Sequence, residues 1–164
     1  MSGTDPSTLA AEVLKAARKK GLMIATAESC TGGLVSAALT EIAGSSDVFE
    51  RGFVTYSNAA KADLLGVPQE LLKRHGAVSA PVAQAMAEGA LSRSQADIAV
   101  SITGVAGPGA SDKKPAGLVY FGLAQTGRVT ETRECRFDNL NRAGVRAASV
   151  DTALDWLLVS VRRA

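Results

Sequence analysis

The feature that most constrains the fold is a corner rich in hydroxyl groups and glycine, residues 26–33 (TAESCTGG). The apolar run before it, residues 22–25, predicts a buried strand, and the apolar segment after it, residues 34–39, predicts a helix. Such a corner presents backbone N–H groups and the positive end of a helix dipole, which suit an anion or a developing oxyanion. Ser29 is therefore either a nucleophile or a capping residue. Because caps are far commoner than nucleophiles, the residues alone favour a cap.

Helical and strand patterns alternate through the first half of the chain, and a hairpin signal at residues 126–128 follows in the second half. The predicted order is α-β-α-β-α-(α)-α-β-β-β-α. This order predicts an α/β fold, a three-layer α/β/α sandwich around a mixed, mostly parallel sheet of about five to six strands. We expect a single domain over residues 1–164, in which residues 1–6 form a disordered tail.

The helix after the corner is predicted over residues 31–42, with Thr31 as its N-cap. Gly32 and Gly33 would then expose their N–H groups in the first turn, because no side chain shields them. An electrophilic carbonyl placed against the Ser29 hydroxyl can direct its oxyanion at these two donors. The plain alternative is that the hydroxyl groups cap the helix while the glycines pack closely.

Composition excludes several classes of function. The formal net charge is +2 and the basic residues are spread along the chain, so neither nucleic acid nor an acidic membrane is an expected partner. Aromatic residues make up 4%, too few for a base-stacking surface. No apolar stretch reaches the about 18 residues of a membrane span, and the N-terminus lacks the layout of a signal peptide. With two cysteines and no Cys-x-x-Cys motif, we expect a cytoplasmic protein.

Lys61 is the second candidate for chemistry. A strand is predicted over residues 49–57, and Asn58 is predicted to cap a short helix over residues 59–65. Lys61 then lies in the first turn, where the helix dipole lowers the pKa of its amine, and burial would lower this pKa further. A neutral lysine can serve as a general base. Tyr56 lies nearby and can relay a proton or donate to an oxyanion. The alternatives are a solvated surface lysine and a half-buried aromatic residue.

A glycine-rich loop follows the clearest strand of the sequence, residues 97–103. Its pattern, Gly104-x-x-Gly107-x-Gly109, can cradle a phosphate but does not match the dinucleotide fingerprint. Thr103 and these glycines are as compatible with a plain loop as with a binding site.

Two arginines, Arg142 and Arg146, are four residues apart near the start of the last helix and therefore share a face. They can clamp a phosphate or carboxylate, or they can form a solvated face.

Other catalytic chemistries find little support. His75 is the only histidine, so a site with several histidine ligands is excluded, and no carboxylate cluster indicates a metal. Cys30 is a weak candidate for a thiol nucleophile, because its neighbour Ser29 already occupies the corner and adjacent side chains point in different directions. We expect no metal and no cofactor.

Four ordered motifs resemble those of the CinA C-terminal domain family. They are residues 26–33, residues 52–61 (GFVTYSNAAK), residues 75–79 (HGAVS) and residues 101–108 (SITGVAGP). The resemblance extends from about residue 9 to residue 158, nearly the whole chain. Because four motifs occur in the same order, the resemblance is far more specific than any one of them.

The resemblance implies an activity, since stand-alone members of this family are nicotinamide-nucleotide amidohydrolases. It implies hydrolysis of the carboxamide of nicotinamide mononucleotide, in pyridine-nucleotide salvage, by a serine–lysine mechanism without a metal or cofactor. Ser29 would be the nucleophile, Lys61 the general base and Tyr56 an assisting residue. The substrate site would be lined by Thr31, Gly32, Gly33, Thr103, Gly104 and Gly107, with Arg142 and Arg146 as candidates for binding the phosphate.

Two other functions stay open. The chain can be a non-catalytic module that binds a pyridine nucleotide or a protein partner, or an amidase for another small carboxamide. The expected partner is in each enzymatic case a small molecule. The small-residue faces of the helices permit a homodimer or a higher homo-oligomer but do not require one.

Overall fold

A five-stranded sheet lies at the centre of the computed structural model, which describes residues 5–164. In chain order its strands are β1 (Ile24–Glu28), β2 (Phe49–Val54), β3 (Ile98–Gly104), β4 (Leu118–Gln125) and β5 (Glu131–Arg136). Their spatial order is β2-β1-β3-β4-β5. Strand β1 is parallel to β2 and β3, whereas β4 is antiparallel to β3 and β5. The predicted mixed sheet is confirmed, and its parallel and antiparallel pairings are equal in number.

Helices cover both faces of this sheet. On one face lie α1 (Pro6–Lys20), α2 (Leu34–Thr40) and α6 (Arg142–Arg163), and on the other lie α3 (Asn58–Leu65), α4 (Gln69–His75) and α5 (Ala80–Ser92). Each group of helices encloses its own apolar cluster against the sheet. The predicted three-layer α/β/α architecture is therefore confirmed.

Helix α5 packs unusually close to the sheet because the residues beneath it are small. These residues are Ala25, Ala27, Ala99, Ser101 and Gly122. The Ser101 hydroxyl donates to the Ala83 carbonyl of α5 at 2.6 Å. A Cβ on Gly122 would lie only 2.4 Å from the same carbonyl oxygen, so this position requires glycine.

The order of the strands creates a switch point next to β1. Strand β2 lies on one side of β1, and the connection between them places α2 over one face of the sheet. Strand β3 lies on the other side of β1, and the connection that leads to it places α5 over the opposite face. In open α/β sheets, ligands bind beyond the carboxyl ends of the strands where the order reverses. The carboxyl end of β1 is Glu28, so Ser29 lies at this point.

Side chains of β1 alternate between the two faces, as in any strand. Thr26 and Glu28 point towards α2, where the Thr26 hydroxyl lies 2.7 Å from that of Ser36. Ala25 and Ala27 point towards α5. Ser29 continues the alternation and faces α3, which carries Lys61.

Two helix starts differ from the sequence prediction. Helix α2 covers Leu34–Thr40 rather than residues 31–42, and its N-cap is Gly33, with a φ of 103°, rather than Thr31. Helix α3 is capped by Ser57, whose Oγ accepts a hydrogen bond from the Ala60 N–H at 3.0 Å. Asn58, the predicted cap, is instead the first helical residue. Where two residues with capping side chains are adjacent, the sequence does not determine which of them caps.

The predicted disordered tail falls mostly outside the described residues, which exclude residues 1–4. The other two residues do not belong to a tail. The Asp5-Pro6 pair also predicts an N-cap followed by a first helical residue, and this is confirmed, because Asp5 caps α1 through its carboxylate and Pro6 begins that helix. Within residues 5–164, no helix is both long and apolar enough to cross a membrane.

Candidate active site

A buried lysine and a serine meet at the carboxyl end of β1. The Nζ of Lys61 lies 2.9 Å from the Oγ of Ser29, and the two side chains come from α3 and from the corner after β1. Lys61 is 1% exposed and Ser29 is 8% exposed. The structure therefore brings together the two residues that the sequence singled out as nucleophile and base.

The remaining contacts of Lys61 are two main-chain carbonyls. Its Nζ lies 2.9 Å from the Thr55 oxygen and 3.3 Å from the Tyr56 oxygen. A neutral amine has two N–H donors and one lone pair. The two donors match the two carbonyls, which leaves the lone pair to accept the Ser29 hydroxyl proton. An ammonium would instead donate to all three oxygens, so these contacts accommodate both the protonated lysine and the neutral form that can act as a base.

Burial lowers the pKa of Lys61 from 10.5 to about 8. The sequence predicted this direction from a position in the first helical turn and from burial. Lys61 is the fourth residue of α3, which begins at Asn58, and removal from water is the main cause of the shift. No carboxylate forms an ion pair with Lys61 in the described part of the chain.

The N–H groups at the start of α2 are already occupied by a carboxylate of the chain itself. Oε1 of Glu28 accepts from the N–H of Gly33 at 3.2 Å and of Val35 at 2.9 Å. The Gly32 N–H donates to the Ser29 carbonyl at 3.0 Å. The donors predicted from Gly32 and Gly33 are thus engaged inside the corner, because the buried glutamate acts as the anion at this helix end.

Thr31 also lies apart from the reacting groups. Its side chain is fully buried, and its hydroxyl has no hydrogen-bonding partner within the described residues. It neither caps α2 nor lines the cavity beside Ser29.

Tyr56 contributes to the lysine through its main chain rather than its ring. Its side chain is 63% exposed, and its hydroxyl accepts a hydrogen bond from the Arg142 guanidinium at 3.2 Å. The phenol is therefore directed to the rim of the site, and the predicted proton relay between Tyr56 and Lys61 has no direct contact to support it.

The two arginines of α6 separate in space. Arg142 lines the cavity beside Ser29 and donates to the Gly107 carbonyl at 2.6 Å. Arg146 does not line that cavity; it donates to the main-chain carbonyls of Cys30 at 3.1 Å and of Thr31 at 3.4 Å. Four residues of helix span about 6 Å, which is enough to move the second guanidinium from the cavity to the corner.

A cavity of about 420 Å³ opens beside Ser29 and Lys61. Its walls are residues 103–112 on one side, residues 77–78 on another, and Tyr56, Asn58 and Arg142 at the rim. All three predicted loop residues, Thr103, Gly104 and Gly107, therefore line it. This volume lies within the range of about 300–1,000 Å³ that small-molecule sites have.

The glycine-rich loop is fastened to the neighbouring segment by side chains. The Thr103 hydroxyl donates to the Ala77 carbonyl at 2.8 Å, and the Lys114 ammonium donates to the carbonyls of His75, at 2.7 Å, and Val78. A Cβ on Gly104 would lie 2.7 Å from a methyl group of Val119. These contacts fix two walls of the cavity relative to each other.

Three polar residues that line the cavity, Asn58, Ser111 and Asp112, were not predicted from the sequence as site residues. Asn58 was interpreted as a cap, and the adjacent Ser57 was the signal that another residue could take that role. Asp112 lies in a turn closed by paired hydrogen bonds between Ser111 and Lys114, at 3.0 and 2.9 Å. No local pattern in residues 110–114 indicates that this turn faces the cavity.

The other candidate residues do not form a second site. Burial raises the pKa of the Cys30 thiol to about 11, which disfavours the thiolate that a cysteine nucleophile needs. His75 is exposed and does not line the cavity. Among residues 5–164, no group of three or more histidine, cysteine or acidic side chains could hold a metal ion.

Comparison with known proteins identifies the family of this chain. The sequence profile of the CinA C-terminal domain matches residues 6–161. This chain belongs to the CinA C-terminal domain family. The expected resemblance is therefore confirmed over nearly the whole chain.

Among relatives with this CinA domain, the Escherichia coli K12 protein named nicotinamide-nucleotide amidohydrolase PncC is 52% identical over 159 residues, which are 96% of this chain and 95% of that protein. A putative competence-damage inducible protein of Symbiobacterium thermophilum is 57% identical over 127 residues, 77% of this chain but 30% of that protein. One from Caldicellulosiruptor saccharolyticus is 50% identical over 94% of this chain and 38% of its own length. The chain thus spans about a third of these longer relatives.

Solved structures of CinA-domain proteins have the same fold. The competence/damage inducible protein CihA from Agrobacterium tumefaciens superposes with a TM-score of 0.92 at 48% identity, covering 98% of both chains. A CinA superfamily protein from Klebsiella pneumoniae gives a TM-score of 0.93 at 37% identity, covering 98% of this chain and all of that one.

Proposed function

We propose that this chain is a nicotinamide-nucleotide amidohydrolase, which hydrolyses the carboxamide of nicotinamide mononucleotide to nicotinate mononucleotide and ammonia in pyridine-nucleotide salvage. The relative named for this activity aligns over 96% of the chain. The two free cysteines suit a reducing compartment, which supports a cytoplasmic location.

The observation that carries the proposal is the contact between Lys61 and Ser29. A lysine buried in the core, with a pKa lowered to about 8 and its amine 2.9 Å from a serine hydroxyl, costs stability, and a catalytic role explains why the chain keeps it. A module that only binds a ligand has no need of this pair. An amide hydrolase needs a base at hydrogen-bonding distance from its nucleophile.

The proposed reaction begins with proton transfer from Ser29 Oγ to Lys61 Nζ as the oxygen attacks the carboxamide carbon. The resulting tetrahedral intermediate collapses when Lys61 returns the proton to the amide nitrogen, which leaves as ammonia. Water then attacks the acyl-enzyme and gives a proton to Lys61, which passes it to Ser29 Oγ as the bond between this oxygen and the acyl carbon breaks. The product leaves as the carboxylic acid, which ionises in solution, and the serine hydroxyl and neutral lysine are restored. The two carbonyls that face Lys61 hold the amine in place in both half-reactions.

The oxyanion needs donors other than Gly32 and Gly33. In the described part of the chain, the N–H groups of Cys30 and Thr31 donate to no oxygen acceptor. The Cys30 N–H follows the nucleophile directly, a position from which a main-chain donor can reach the oxyanion. We therefore assign the Cys30 N–H to this role in the proposed mechanism.

Arg142 is the proposed ligand of the substrate phosphate. Its guanidinium has five N–H donors, and hydrogen bonds to Gly107 and Tyr56 use two of them. The remaining donors are at the rim of the cavity, where a nucleotide whose carboxamide lies at Ser29 would place its charged end. Phosphate binding there would orient the pyridine ring for attack.

The test is ammonia release from nicotinamide mononucleotide. We expect turnover by the wild-type protein, and a loss of at least about 10³-fold in kcat for Ser29→Ala and Lys61→Met with binding retained. Lys73→Met, an exposed lysine of α4, is the matched control and should keep full activity. Tight binding of the nucleotide by wild type without ammonia release would instead identify a binding module, and turnover of other carboxamides alone would identify a different amidase.

A further inference from the structure

Glu28 is the buried carboxylate that immediately precedes the proposed nucleophile, and the mechanism above does not use it. Its side chain is fully buried. Four donors surround it: the N–H groups of Gly33 and Val35 on Oε1, and the N–H and hydroxyl of Ser36 on Oε2 at 2.9 and 2.8 Å. No lysine or arginine forms an ion pair with it in residues 5–164.

These four contacts suit a carboxylate. A carboxylate offers about four lone-pair positions and no proton, so it accepts all four hydrogen bonds. A carboxamide in its place would turn its NH2 group towards at least one main-chain N–H, which is a contact between two donors. The positive end of α2 further favours the negative charge. Glu28 is therefore bound to α2 as firmly as an external anion would be, with the difference that it belongs to the strand.

The main chain around Glu28 and Ser29 is fixed on both sides. The Glu28 carbonyl accepts a hydrogen bond at 2.8 Å from the N–H of Thr55, the residue that follows β2. The Ser29 N–H donates to the Ile102 carbonyl of β3 at 2.9 Å. Because neighbouring side chains of an extended segment point to opposite faces, the orientation that directs the Glu28 carboxylate to α2 also directs the Ser29 hydroxyl to Lys61. A rotation that releases one side chain displaces the other.

We propose that Glu28 is a positioning residue: its carboxylate, held by the first turn of α2, sets the orientation of the main chain that keeps the Ser29 hydroxyl against the Lys61 amine. Glu28 touches neither substrate nor reacting atoms. The inference rests on the proposed function for the identity of the nucleophile, but its geometry does not depend on which carboxamide is the substrate.

Glu28→Gln is the first test, because it keeps the shape and replaces one acceptor oxygen with a donor. We expect kcat for nicotinamide mononucleotide to fall about 10²-fold, since a displacement of about 1 Å can cost that much, while KM changes less than about twofold. The cavity walls that would bind the nucleotide are untouched by the change. Glu88→Gln, the same substitution at an exposed position of α5, should leave both constants unchanged.

A second measurement does not depend on the substrate. A fluorophosphonate reagent phosphorylates an activated serine: the Oγ–P bond forms, fluoride leaves, and the hydroxyl proton passes to the base. We expect Ser29 to be labelled in wild type and the labelling rate of Glu28→Gln to fall in parallel with kcat. If wild type labels but releases no ammonia from the nucleotide, the proposed function fails while the role of Glu28 is still measured.

Two milder variants distinguish a failure to fold from a displacement of the Ser29 hydroxyl. Ser36→Ala removes a single donor, and Glu28→Asp keeps the charge but shortens the side chain. Both should fold, as measured by thermal unfolding, and both should label more slowly than wild type. The inference is overturned if folded Glu28→Gln, or folded Glu28→Asp when the former does not fold, labels and turns over within about twofold of wild type.

Discussion

The rate of the proposed reaction should follow the ionisation of Lys61. With a pKa of about 8, about a tenth of the lysine is neutral at pH 7 and about nine-tenths at pH 9. We therefore expect kcat/KM to rise about tenfold between these two pH values and to reach a plateau at about pH 9. Below neutrality the rate should fall about tenfold for each pH unit, because only the neutral amine can take the Ser29 proton.

The plateau distinguishes a buried lysine from a solvated one. A lysine with an ordinary pKa of about 10.4 would give a rise of about 100-fold between pH 7 and pH 9 with no plateau in that interval. The measurement is the initial rate of ammonia release at low substrate concentration in buffers of constant ionic strength. Lys61→Arg is the matched variant, since its guanidinium stays protonated, and it should be inactive throughout. A profile without a lysine-dependent rise would refute the base assignment.

Three further predictions address stability and binding. Because folding lowers the pKa of Lys61 from 10.5 to about 8, the unfolded chain binds more protons in that interval, so the urea midpoint of wild type should rise with pH there more than that of Lys61→Met. Arg142→Met should lower kcat/KM for nicotinamide mononucleotide about 10–100-fold but should not change kcat/KM for the phosphate-free riboside. Arg162→Met, at the far end of α6, should change neither value. Gly89→Ala should lower the free energy of unfolding by about 1–3 kcal/mol, since its Cβ would lie 2.0 Å from a main-chain oxygen of α3, in contrast to Glu88→Ala on the exposed face.

The sequence predicted the fold because its signals were local and repeated. The alternation of helix and strand patterns was enough to predict a mixed sheet with helices on both faces, and the structure has that arrangement. The switch point next to β1 follows from strand order, which no local pattern contains. Its consequence is that Ser29 lies where the cavity forms, although the residues alone favoured a cap.

The sequence identified the main residues of the site but not where their side chains and N–H groups point. Ser29 and Lys61 were paired correctly in space. The lowered pKa was expected from a helix dipole with burial as a further cause, and in the structure burial is the main cause. Gly32 and Gly33 were expected to face the substrate. Both N–H groups are instead engaged within the corner: Gly33 donates to Glu28, a residue with no predicted role, and Gly32 donates to the Ser29 carbonyl. A main-chain N–H in such a corner can donate to one of several neighbouring polar groups. The choice depends on strand alternation and on the residue at which the helix starts.

The carboxylate at the start of α2 has a consequence for inhibition by salts. A helix end that is open to solution attracts phosphate and sulfate from a buffer, and an enzyme that uses such an end near its nucleophile is inhibited there. In this protein the position is already taken by Glu28, which no dissolved anion can displace without unfolding the corner. Under the proposed function, inorganic anions would bind at Arg142 on the rim and compete with the nucleotide phosphate, without disturbing the acylation of Ser29. The anion that builds the corner would then be separate from the anion that the proposed enzyme recognises.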